Sequence, residues 1–158
     1  MYNIALTRFN ETTWNDYYNW CIHNKLFIYN TPVKIKNIIK EKSILFVIEM
    51  NNDLNKIMGI SLIYNKLFNK RYKIYKSGNY NRYSYKSIYR IHKNQFNRNE
   101  IDFIVDLEIQ IFKGKKHSKR GQGITILPNW ILKDWTLENN KHNFIKNMFI
   151  NRNFDFKF

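Results

Sequence analysis

Asp102 and Asp106 stand four residues apart in the stretch NEIDFIVDLEIQIFKG, residues 99–114. On a helix that spacing puts both carboxylates on one face, where they could hold Mg²⁺ together. The plainer reading, and the one adopted, is the polar side of an amphipathic helix capped by Asn99, with Glu100 and Asp102 at its positive end. Glu49 and Asp53 could join a nuclease-like group with Lys56, but their spacing follows no established pattern. Ser118 follows His117, yet sequence neighbours point apart and no acid orients them. The histidines at 23, 92, 117 and 142 do not pair at ligand spacing, and the single cysteine, Cys21, cannot build a zinc cluster. The expectation is therefore no metal, no cofactor and no catalytic residue. A Mg²⁺-dependent nuclease or nucleotide-modifying enzyme acting through the two aspartates is an alternative.

The stretch KGKKHSKRGQG, residues 113–123, has a different chemistry. It carries five Lys/Arg and no carboxylate, and it ends in two glycines. Gly121 and Gly123 lack a Cβ and let the backbone approach a ligand. Backbone N–H groups there could bind a phosphate, with Lys119 and Arg120 adding charge. The stretch is not a Walker A loop, because the GK[ST] ending is missing and no strand precedes it. The competing reading is a solvated basic turn.

The whole chain has 158 residues and a formal net charge of +15. That size suggests one domain spanning 1–158, and that charge favours a polyanion. Residues 1–53 hold six Lys/Arg against five acids, and residues 100–158 hold ten against seven. Residues 54–99 hold eleven and no acid at all. The abundant Asn, Lys, Ile, Tyr and Phe all have A/T-rich codons, so base composition could account for part of the charge, but it gives no reason to remove every acid from one segment. No apolar run is long enough to span a membrane, and the N-terminus lacks the apolar core of a signal peptide. One unpaired cysteine suits a reducing compartment. These features point to an intracellular protein of the cytoplasm or nucleus.

The elements that must position these groups follow from hydrophobic periodicity. WNDYYNWCIHNK predicts a helix capped by Thr12 or Thr13, with Trp14, Tyr17, Tyr18 and Cys21 on one face. NTPVKIKNIIKEK predicts a short second helix. SILFVIEM (43–50) and KIMGISLIY (56–64) predict a hairpin of two central strands, with Gly59 marking a bulge or a close approach. RYKIYK (71–76) and RYSYKSIYRI (82–91) predict a second hairpin around SGNYN. In its last strand Tyr83, Tyr85 and Tyr89 alternate with Arg82, Lys86 and Arg90, which predicts an aromatic inner face and a wet basic face. Tyr80, in the turn, is the tyrosine best placed for exposure. The 99–114 segment predicts a helix buried through Ile104, Leu107 and Ile111, with Ile101 a turn earlier, and ended by Gly114. ITILP reads as a short strand, LENNKHNFIKNMFINRN as a last helix, and FDFKF as an edge strand or frayed end.

The succession SILFVIEMNNDLNKIMGISLIY plus RYSYKSIYRI, with glycine in a returning strand, resembles the PUA-like superfamily of small barrels that includes the EVE, ASCH and YTH modules. The stretch LEIQIFKGKKHSKRGQGIT also looks like uncharacterised proteins of large DNA viruses with A/T-rich genomes. The superfamily resemblance implies an α+β fold, RNA or modified-base binding, and no catalysis. It carries no base-pocket residues over to this chain. The combined expectation is a mainly antiparallel curved sheet or small β-barrel with packed helices. It would bind nucleic acid, RNA ahead of DNA. The candidate contacts are Arg71, Lys73, Tyr80, Arg82, Lys86 and Arg90 around the basic sheet face. Lys115, Lys116, Lys119, Arg120, Gly121 and Gly123 belong to the loop. A viral structural or assembly protein and a peripheral membrane binder are the remaining alternatives, and viral or host proteins are possible partners.

Overall fold

The computed structural model describes residues 2–133 and 140–154. It is an α+β fold built on a curled, mixed six-stranded sheet that forms a half-barrel, with helices on both faces. In chain order the elements are β1 (Tyr2–Phe9), α1 (Glu11–Asn24), β2 (Ile28–Thr31), β3 (Ile44–Asn51), β4 (Lys56–Tyr64), β5 (Tyr83–His92), α2 (Arg98–Phe112), β6 (Thr125–Ile126), α3 (Asn129–Lys133) and α4 (Lys141–Ile150). The strand order is β2-β5-β4-β3-β1-β6. Strand β1 runs parallel to β3, and every other pairing is antiparallel.

The predicted hairpin of β3 and β4 is present and central, and both strands are buried on both faces. Ile4, Leu6, Phe46, Ile48, Ile60 and Leu62 face one core, which α2, α3 and α4 close. Ala5, Leu45, Val47 and Ile63 face a second core, closed by Trp14, Tyr17 and Cys21 of α1. Continuous apolar runs are what a doubly covered strand requires. No described helix is long and apolar enough to cross a membrane.

Several expectations are corrected by tertiary contacts. Residues 71–76 are not a strand. Asn81 binds that segment instead: its Oδ1 accepts from the Ile74 and Tyr75 N–H groups, and its Nδ2 donates to Tyr75 O and Ser77 O. The edge partner of β5 is β2, which lies between the two predicted helices and takes in the first two residues of the second. Residues 32–43 form turns, not a helix. Tyr85 Oη accepts from the Ile35 N–H, and Asn65 Nδ2 donates to Ile39 O, so side chains from elsewhere satisfy this backbone. The helix caps are Asn10 and Asn97, not Thr12, Thr13 or Asn99. Both asparagines accept from the N3 amide in a capping box. Ile101 is exposed, whereas Ile104, Leu107 and Ile111 are buried as expected. ITILP contains β6, and LENNKHNFIKNMFINRN contains α4, although residues 137–139 lie outside the described residues. Of FDFKF only Phe154 is described, and it stacks on Tyr89 with ring centroids 4.6 Å apart.

Two register shifts matter most. In β4, Glu49 pairs with Gly59 and Met50 with Ile57, so Met58 is an extra residue. A Cβ at Gly59 would lie 2.7 Å from Arg90 Nη2, 2.8 Å from Glu49 Oε2 and 2.8 Å from Ile91 O. Gly59 is thus both the expected bulge neighbour and the expected close approach. The Ile91 carbonyl belongs to the adjacent strand and cannot swing away. Gly59→Ala is expected to lower stability by about 1–3 kcal/mol through overpacking. A reduced denaturant midpoint with an unchanged slope would register it; an unchanged midpoint would contradict the crowding.

The second shift lies in β5, where Leu62 pairs with Tyr89 but Ile63 with Ser87. Ile88 is the extra residue, and a one-residue insertion reverses which side chains face which way. Tyr85 therefore packs into the α1-side core, while Tyr89 and Ile91 pack into the opposite one. Arg90 is turned inward toward α1.

Candidate nucleic-acid interface

A cavity of about 250 Å³ opens where the C-terminal ends of β1 and β2 meet the two segments singled out by charge. Lys119, Gly121 and Gly123 line it from the loop after α2, and Tyr75 and Tyr80 line it from the acid-free segment. Arg8 and Asn52 complete its polar wall. No carboxylate is among the lining residues. Tyr80 is exposed, as expected, and stands edge-on to Tyr75 with ring centroids 6.1 Å apart. A narrow cationic cavity with aromatic walls suits one anionic or aromatic group rather than an extended chain.

Arg8 was not among the candidates from sequence. Its Nε donates to Ser118 O at 2.6 Å and its Nη1 to Thr125 Oγ1 at 2.9 Å. It forms no ion pair among the described residues, and Nη2 makes no hydrogen bond among them. Burial pulls its pKa down to about 10, so it remains cationic at neutral pH. The unspent N–H groups are available to a ligand. Gly121 explains how Arg8 reaches this position. A Cβ there would lie 3.0 Å from the guanidinium carbon, and the residue has φ +139°, where a side chain is strained. The glycine therefore makes room for an arginine of the chain itself, a role the loop sequence did not disclose.

Asn52 ties the loop down by donating from Nδ2 to Lys119 O at 2.9 Å. Its Oδ1 is buried with no hydrogen-bond partner among the described residues. The loop spends part of its own backbone internally. Ser118 N–H bonds to Ile111 O, and Lys119 N–H bonds to His117 Nδ1. Those two amides cannot also hold a phosphate, so the expected amide cradle is limited to residues beyond Lys119.

The remaining candidates do not form one continuous sheet face. Arg71 and Lys73 are exposed on the irregular segment before β5. Arg82 and Lys86 are exposed at the start of β5, with the Arg82 guanidinium 5.8 Å from the Tyr83 ring and Lys86 Nζ 5.7 Å from Phe68. The strand face between them is covered, since Ser84 Oγ donates to Asn30 Oδ1 and Ser84 O accepts from the Phe68 N–H. Lys115, Lys116 and Arg120 are exposed on the loop but do not line the cavity. Of the eleven Lys and Arg in residues 54–99, only Lys56 and Arg90 form ion pairs among the described residues.

Arg90 is the clear correction. Its side chain is 6% exposed and clasps Glu49, which is fully buried, with Nε 2.8 Å from Oε1 and Nη2 2.5 Å from Oε2. Tyr17 and Tyr29 donate their hydroxyls to the same Oε1, at 2.9 and 2.5 Å. The guanidinium also lies 4.7 Å from the centre of the Phe27 ring and 5.9 Å from that of Trp14. Burial works against the charged guanidinium, but the Glu49 carboxylate outweighs it and the net pKa is raised. Burial, and then Glu49, push both tyrosines well above their ordinary range, so their protons stay in place as donors. Saturated and sealed, this cluster is a structural anchor that joins α1, β2, β3 and β5.

Asp102 and Asp106 are exposed on α2, and no group of three or more His, Cys, Asp or Glu suited to a metal occurs among the described residues. No family model matches this chain, and no curated protein or solved structure is significantly similar to it.

Proposed function

We propose that this protein is a non-catalytic nucleic-acid-binding domain that takes one nucleotide of a single strand into the Arg8 cavity. The carrying observation is the convergence of a partly buried Arg8, which forms no ion pair among the described residues, and of Lys119 with Tyr75 and Tyr80 in a cavity with no carboxylate among its lining residues. Holding a guanidinium partly away from water without a counter-ion is unfavourable, and a phosphate would offset that cost. Tyr80 supplies exposed aromatic surface for a base, and the buried Tyr75 backs it edge-on. Lys115, Lys116 and Arg120 extend the loop's positive charge and would meet flanking phosphates. RNA is placed ahead of DNA because unstacked bases are what single-stranded RNA loops present. A half-barrel sheet with packed helices is compatible with a PUA-like module, and that kinship, like a viral origin, belongs to the proposal.

The test is a salt titration of binding to single-stranded RNA, single-stranded DNA and duplex DNA. The reading expects affinity to fall steeply with salt, with a log–log slope shallower by up to about 0.7 for each phosphate contact removed. Lys119→Ala/Arg120→Ala should flatten the slope accordingly. Binding that ignores salt, or a double variant with the parent's slope, would remove the basis for the proposal.

A further inference from the structure

We infer that the surface formed by residues 34–42, 64–69 and 86–88 docks on an anionic lipid bilayer, with Ile38 as its most exposed apolar point. This inference does not rest on nucleic-acid binding, because no residue of this surface lines the Arg8 cavity. Two grooves, of about 530 and 300 Å³, lie side by side here and share Lys66 and Leu67. Hydrogen bonds hold the shared wall to the turns of 32–43: Asn65 Nδ2 donates to Ile39 O, and the Lys42 N–H donates to Asn65 O. Ile35 and Ile39 are buried in the α1-side core and pin those turns down. Ile38, between them, belongs to neither core and is 87% exposed. Tyr64, Leu67 and Ile88 are also exposed, and they line the second groove.

Charge selects the occupant. Lys34, Lys36, Lys40, Lys42, Lys66 and Lys86 are exposed on the same three segments. Residues 32–43 and 64–88 contain one carboxylate, the exposed Glu41, so the lysines outnumber it. None of these seven side chains forms an ion pair among the described residues. Cations interleaved with aliphatic side chains call for negative charge and hydrocarbon in one partner. A nucleic acid supplies charge and aromatic faces, but no hydrocarbon layer for Ile38 and Leu67. An acidic protein would need a pocket shaped to Ile38. A bilayer with acidic headgroups meets both demands without a fixed shape. Ile38 and Leu67 would enter the boundary between headgroups and acyl chains, and the lysines would stay at the level of the lipid phosphates and carboxylates. Tyr64 suits the same depth, with its ring in the apolar layer and its hydroxyl among the headgroups.

Flotation of the nuclease-treated full chain tests this, with vesicles of phosphatidylcholine plus phosphatidylserine set against phosphatidylcholine alone. Binding to the mixed vesicles only is expected. A net charge of +15 could adsorb to them through any face, so the variants decide. Ile38→Ser, at a site outside both cores, should weaken vesicle binding about tenfold and leave single-stranded RNA affinity unchanged. Lys36→Ala/Lys40→Ala should also weaken it about tenfold or more. Lys93→Ala/Arg98→Ala removes the same charge from exposed positions outside this surface and should cost clearly less. No binding to the mixed vesicles overturns the inference, as does an Ile38→Ser variant that binds them like the parent. Equal losses from the two double variants would mean adsorption without a preferred face and would overturn it too. An Ile38→Ser variant that loses RNA affinity but keeps its hold on vesicles would give the surface to nucleic acid instead.

Discussion

Glu49→Ala is expected to destabilise the protein by about 3–5 kcal/mol, the range for removing one partner of a buried ion pair. The substitution leaves the Arg90 side chain, 6% exposed, without its carboxylate, and takes from the Tyr17 and Tyr29 hydroxyls their common acceptor. The mechanism is the stranded charge rather than the lost attraction, and that distinction can be measured. Arg90→Met in the Glu49→Leu background should recover a large part of the loss, because two apolar side chains leave no charge buried. Chemical denaturation of both variants decides it. A Glu49→Ala loss under about 1 kcal/mol would mean that water reaches Arg90, which is the behaviour of exposed pairs. Such a result would contradict the sealed cluster between α1 and the sheet.

Arg8→Ala should weaken single-stranded RNA binding by about 10- to 100-fold, equivalent to the roughly 1.5–3 kcal/mol of a hydrogen bond to a charged group. Arg8→Lys should restore little, since an ammonium cannot reach Ser118 O, Thr125 Oγ1 and a ligand in one plane. Arg8 also holds the loop, so two controls are needed. Thr125→Val removes one of its bonds and keeps the charge, and it should bind nearly as well as the parent. Lys115→Ala removes an exposed charge away from the cavity. It should cost only the non-specific part of the salt slope. If Arg8→Ala and Lys115→Ala bind alike while both remain folded, the cavity is not the site.

The parts of the site that were legible are those written in local composition. The acid-free run of 54–99 and the glycine-flanked loop could be seen without coordinates, because charge and missing side chains need no partner to be recognised. Tyr80 could be assigned to the surface because a turn residue in SGNYN has little chain around it to hide it. Arg8 could not be found this way. It is a single arginine in an otherwise ordinary strand, and its importance comes from Gly121 and Thr125, more than a hundred residues away. Gly121 was the available signal, but a glycine says only that something comes close, not what.

Arg90 shows the limit of pattern from the other side. Alternation fixes relative faces only while the register is unbroken, and the extra residue at Ile88 breaks it. Tyr85 and Tyr89 then occupy different cores, and an arginine that counted as solvent-facing meets a buried glutamate. Local pattern was enough for the central hairpin, the amphipathic α2 and the uneven distribution of charge, because periodicity and composition act over a few neighbouring residues. Long-range packing was needed to set β1 beside β3, to give β2 the edge of β5, and to make Arg90 an anchor while Arg8 faces the cavity. Those outcomes depend on which distant backbone completes each hydrogen-bond ladder and on which carboxylate, if any, reaches each guanidinium. Neither is encoded in the spacing of neighbours.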